Sequence, residues 1–180
     1  MSGVFDDSDA LKQIAVNLFY GWGYNFYRVE NHLRADDLMV RAKVSALLGR
    51  ARAAVEQAES AWRRERISTP TREKPLPDPQ ALEGARKLEA LSQALGALEG
   101  QIRALPVPEA DHMTNRYRRE KETLQRLCDF DTALVGRAEV LRGLVEDVAP
   151  QQVLERGSQI EGGLQSLARG LRERQAFLLG

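Results

Sequence analysis

The sequence predicts an all-α protein, an elongated antiparallel bundle of three to four long helices with a short N-terminal helix ahead of them. Three observations carry this. Ala, Leu, Glu, Arg and Gln dominate the 180 residues, and these residue types lose little conformational freedom on a helix. Apolar residues recur at three- and four-residue intervals along most of the chain, whereas no stretch alternates apolar and polar residues as a half-buried strand would. The seven prolines fall between the periodic stretches and not inside them, as expected of a residue that lacks an amide donor and clashes with the preceding helical turn.

The first element is short. Asp7 or Ser8 offers a side-chain oxygen to the orphan amides of a first turn, and Leu11, Ile14, Ala15 and Leu18 then share one face. Gly21 and Gly23 are expected to interrupt it, since each costs roughly 1 kcal/mol against Ala in a helix. From Tyr24 to Arg66 the pattern resumes through Phe26, Val29, Leu33, Val40, Val44, Leu47, Ala51, Val55, Ala58 and Trp62, the seam spacing of a bundle or coiled coil.

Residues 67–79 hold four prolines, at positions 70, 75, 77 and 79, and form the main linker within what reads as a single helical-bundle domain over residues 1–180. The second long helix, about 79–104, carries Leu88, Leu91, Leu95, Leu98, Ile102 and Leu105. Pro106 and Pro108 end it and leave a tight connection, so the next helix should be its antiparallel neighbour. That third helix is expected from about Glu109 to Val148, with Met113, Tyr117, Leu124, Leu127, Leu134, Ala138, Leu141, Val145 and Val148 along its seam. Pro150 suits the first position of a fourth helix, which carries Val153, Ile160, Leu164, Leu167, Leu171 and Leu178 and should double back along the third. The first and third long helices outrun the second and fourth by about a dozen residues. Their surplus apolar stripe needs a cover, from the N-terminal helix or from a second copy in a homodimer.

Charge narrows the function. Twenty-six basic residues balance twenty-six acidic ones, which disfavours nucleic-acid binding, a role that requires a basic surplus on at least one face. The basic runs Arg63-Arg64-Glu65-Arg66 and Arg116-Tyr117-Arg118-Arg119 abut glutamates and read as solvated helix faces. No run reaches the ~18 apolar residues that span a bilayer. Asp6, Asp7 and Asp9 stand where a cleavable signal carries positive charge, so the expected setting is cytoplasmic, without a membrane. The lone thiol, Cys128, lies among Leu124, Leu127 and Leu134 and reads as an unreactive core residue.

The densest feature is the stretch from Phe19 to Tyr27, which holds six of the eleven aromatic residues in nine positions. Tyr and Trp dominate binding hot spots, so Phe19, Tyr20, Trp22, Tyr24, Phe26 and Tyr27 are candidate contacts for another protein, with Arg28 and Arg34 as polar anchors. The competing reading is an end cap folded over the seam of the longer helices. Between Leu33 and Val40 the seam position falls on Asp36 or Asp37. A carboxylate there must be paired, and Arg41 lies one turn beyond Asp37. Glu120 and Asp131 fall near the seam of the third helix in the same way.

Glu109 and His112 have the Glu-x-x-His spacing of helical di-iron sites. The second copy is missing, because Val29 stands where His32 would need its glutamate, so neither a metal nor a cofactor is expected. The function that fits best is a non-enzymatic interaction module, an adaptor, accessory subunit or assembly factor. The alternative is a helical bundle that encloses a small ligand or metal and uses its buried carboxylates.

Overall fold

A computed structural model describes residues 4–22, 33–72, 75–105 and 120–179, and at positions 19, 20, 22, 33–37, 120–125, 178 and 179 it describes the backbone. The described residues form six helices: α1 Ser8–Trp22, α2 Leu33–Arg66, α3 Pro79–Arg103, α4 Glu120–Val145, α5 Pro150–Glu155 and α6 Gly157–Leu179. The chain is all-α, and its helices pack through one apolar core.

α2 and α3 form an antiparallel hairpin. Val40, Val44, Leu47, Ala51, Val55, Ala58 and Trp62 are buried along α2, facing Ala81, Ala85, Leu88, Leu91, Leu95, Leu98 and Ile102 of α3. The chain directions follow from the pairings at the two ends. Ser45 shares a hydrogen-bonded cluster with Glu99 and Arg103, while the Trp62 indole N–H donates to the carbonyl of Ala81 at 2.8 Å. Gly84 makes this second end possible: a β-carbon there would lie 2.6 Å from the Trp62 ring. At 34 residues, α2 is about 50 Å long.

Both proline-led helices start as the chemistry dictates. Asp78 caps α3, its carboxylate accepting the Gln80 amide at 3.1 Å, and Pro79 opens the first turn. Pro150 opens α5 behind Ala149, where its missing amide proton leaves no bond unmade.

α4 runs beside α6 in the opposite direction, with Asp131 against Arg174, Leu134 against Gly170 and Leu141 against Gly163. α4 also meets α2, where Glu146 accepts from both Arg50 and Arg142. A helix with neighbours on several sides buries a wider stripe than a two-helix seam. Leu48 and Val135, absent from the heptad pattern, are therefore as buried as the residues beside them.

One neighbour relation and three boundaries differ from expectation: among the described residues α4 packs on α1, α2 and α6 rather than on α3. α1 continues through Gly21 to Trp22, because one glycine near a helix end lowers stability without forbidding the conformation. α4 ends at Val145, three residues early, since Asp147 adopts φ 57°, the left-handed conformation that closes helices and that aspartate tolerates better than most residues. The expected fourth helix is two, α5 and α6, divided at Arg156, whose guanidinium donates to the Leu144 carbonyl at 3.0 Å and ties the junction back to the end of α4.

Candidate functional site

α1 is built to sit on α4. The Asp7 carboxylate accepts the amides of Asp9 and Ala10, each at 3.1 Å, and starts the helix. Leu11 and Ala15 are fully buried. Leu11 lies directly on Gly136, where a β-carbon would come within 2.6 Å of its carbonyl oxygen. Phe5 meets Arg137 and Lys12 faces Asp129 at 3.9 Å, so α1 runs antiparallel to α4. The N-terminal helix thus covers one flank of α4, the role that the surplus apolar stripe called for. The exposed Lys12–Asp129 pair contributes little to this; the apolar contact carries it.

The chain direction takes the last turn of α1, with Phe19, Tyr20 and Trp22, toward the N-terminal end of α4. Gly21 on that turn is exposed, and a β-carbon there would meet no described atom within 4 Å. Tyr24, Phe26, Tyr27 and Arg28 lie outside the described residues, as do Glu109 and His112. Arg34, Asp36 and Asp37 stand on the first turns of α2 and Glu120 opens α4, with their backbones described. The stretch as a docking surface, and the Asp37–Arg41 pair, therefore fall outside what is described.

Arg41 is half-buried, and its Nη1 donates to the Leu105 carbonyl at 2.5 Å. This long-range bond joins α2 to the residues that follow α3.

Among the carboxylates that the sequence nominated, Asp131 is the one whose burial and partner are both described. It is 1% exposed, and Arg174 of α6, 4% exposed, donates Nε to Oδ1 at 2.5 Å and Nη2 to Oδ2 at 3.3 Å. Phe130 and Phe177 also meet across α4 and α6, with ring centroids 5.7 Å apart and planes tilted by 45°. Sequence reasoning missed Arg174, although a signal was present. The apolar series of the last helix skips from Leu171 to Leu178, and the seam position between them is 174. Opposite charges at gaps in two facing seams point to each other. The carboxylate is thus engaged within the core, where it locks α4 to α6.

Cys128, one turn before Thr132, is partly buried with its sulfur 3.9 Å from the Thr132 hydroxyl. Burial raises its thiol above the usual range, and the Thr132 contact offsets part of that. This is the environment of an unreactive thiol.

One cleft, with a volume of about 340 Å³, lies over Trp62 between α3 and α5 and is lined by Arg66, Gln80, Lys87 and Gln151 among others. Its polar groups are largely engaged with one another: Lys87 pairs with Glu83 at 2.7 Å and holds that carboxyl below its usual range, and Arg66 stacks 5.2 Å above the Trp62 ring. Among the described residues no group of three or more His, Cys, Asp or Glu is placed to hold a metal ion, and no helix is long and apolar enough to cross a membrane.

No family profile matches the chain, and no curated protein or solved structure matches it.

Proposed function

We propose that this chain is a non-enzymatic interaction module, an adaptor, accessory subunit or assembly factor, that offers its aromatic N-terminal stretch to a partner protein. The observation that carries this reading is the concentration of six of eleven aromatic side chains in residues 19–27. It is supported by the neighbouring part of α1, whose Leu11 and Ala15 are the residues buried against α4, whereas Gly21 on the last turn is exposed. Aromatic side chains gathered on such a stretch supply large contact area at low entropic cost. A second copy is the other cover open to the surplus apolar stripe of the long helices, and a homodimer is the working form proposed with it.

The test uses the full chain and a variant with Trp22→Ser, Tyr24→Ser and Phe26→Ser. Both are passed over the protein's native lysate, and both are melted. A specific partner held by the natural chain and lost by a variant of unchanged melting temperature supports the module. A variant that melts far lower shows these side chains to be an end cap and removes the docking role. Sedimentation that finds only the monomer mass removes the homodimer.

A further inference from the structure

Ahead of α1, Phe5 belongs to the apolar core, and Asp6 stands beside it at the surface. Phe5 is 6% exposed, and its ring fills a slot whose floor is Gly163; a β-carbon there would lie 2.5 Å from the ring. Leu141 forms a further wall of the slot. The Phe5 carbonyl oxygen accepts from Arg137 Nε at 3.1 Å and from Ser166 Oγ at 3.4 Å. The Asp6 carboxylate reaches Arg169 at 3.5 Å and the Ser166 hydroxyl at the same distance. Val4, just before, is 48% exposed and the Asp6–Arg169 pair lies at the surface, so the buried contact is that of Phe5, and the carboxylate pairs at its rim.

The α4–α6 groove therefore reads an aromatic ring, the carbonyl that follows it and a carboxylate one residue on. Any Phe-Asp pair carries those three groups, whichever chain it belongs to. The groove is also electrostatically prepared for an acid. Burial lowers the Arg137 guanidinium from its usual range, with Glu173 and Asp6 acting against that, so a carboxylate in the groove offsets the desolvation of a cation.

We propose that the groove between α4 and α6, built from Arg137, Leu141, Gly163, Ser166 and Arg169, is a docking site for a Phe-Asp segment of a partner protein, and that the chain's own Phe5-Asp6 occupies it as a tethered competitor. A tethered segment acts at an effective concentration of about millimolar, so the site is closed to weak ligands and opens to a partner that also binds elsewhere or to conditions that release the arm. This site lies at the opposite end of α1 from Trp22 and does not depend on the role of residues 19–27.

The probe is a fluorescein-labelled peptide, Ser-Gly-Val-Phe-Asp-Asp-Ser, titrated with full-length chains by anisotropy. Phe5→Ala, which empties the slot, is expected to bind it at least tenfold more tightly than the natural chain. Adding Arg137→Ala and Ser166→Ala should abolish the gain, and a peptide with Ala in place of Phe should not bind. If Phe5→Ala fails to melt cooperatively, Asp6→Ala carries the test, since it weakens the arm and keeps the ring; a two- to fivefold gain is expected. A folded Phe5→Ala or Asp6→Ala chain that binds the peptide no better than the natural one overturns the proposal. So does concentration-dependent dimerisation of the natural chain that Phe5→Ala abolishes, which would assign the groove to the arm of a second copy.

Discussion

Arg174 and Asp131 face each other across the α4–α6 interface with both side chains withdrawn from water, the guanidinium donating to both carboxylate oxygens. Such a pair contributes little net stability over apolar residues of the same volume, yet losing one member strands a charge in the core. Arg174→Ala alone should destabilise the protein by about 3–5 kcal/mol, whereas Asp131→Leu with Arg174→Met should be neutral or stabilising. Urea unfolding of the three chains checks this, and a double variant as weak as the single one would contradict it.

Gly162 and Gly163 are adjacent on α6 and should respond in opposite directions to alanine. At Gly162 the β-carbon meets no described atom within 4 Å, so the gain in helix propensity, about 0.5–1 kcal/mol, is expected in full. At Gly163 it would press on Phe5 and Leu141, and overpacking of that kind costs about 1–3 kcal/mol. Thermal melts of the two single variants give the signs directly.

Leu95 is 1% exposed on the face of α3 toward α2. Leu95→Ala should cost about 2–5 kcal/mol. An unchanged melting temperature would show the α2–α3 register to be wrong.

Burial keeps the proton on Cys128. A raised folded-state pKa adds stability below the ordinary thiol value, and that contribution is lost as pH rises through the raised one. Labelling by a thiol reagent near neutral pH should accordingly be slow in the native chain and fast after unfolding, with native reactivity appearing only in alkali. Rapid native labelling at pH 7 would mean that the thiolate is accessible.

The helices were legible because their seams are regular. Leu88 to Ile102 needs only period counting, and Pro79 and Pro150 mark helix starts through a property of their own backbone. The features that escaped depend on pairs of residues distant in sequence. Gly84 looks like any helical glycine until Trp62 is known to lie on it. Arg174 looks like a surface arginine unless the gap in its seam is set against that at Asp131. The break at Arg156 has a local mark in Gly157, which follows it, but the tie that holds it is a carbonyl twelve residues away, at Leu144. Of the site candidates, Asp131 was recoverable from periodicity alone, because a charge on an apolar seam is conspicuous wherever its partner lies. The aromatic stretch was conspicuous by composition, which locates it without saying what it touches.

The bond from the Trp62 indole to the Ala81 carbonyl clasps the end of α2 to the start of α3 directly beneath the proline segment, so the two helices do not rely on that segment to find each other. The connection from Ile67 to Asp78 thus joins two helix ends that are already pinned, and Leu76 within it is 82% exposed. Extra length inserted there should add only a slowly growing closure entropy. A reporter or affinity handle spliced in at Leu76 would ride on the outside of a hairpin that is fastened below it, and a cut at that point would leave two fragments that stay joined.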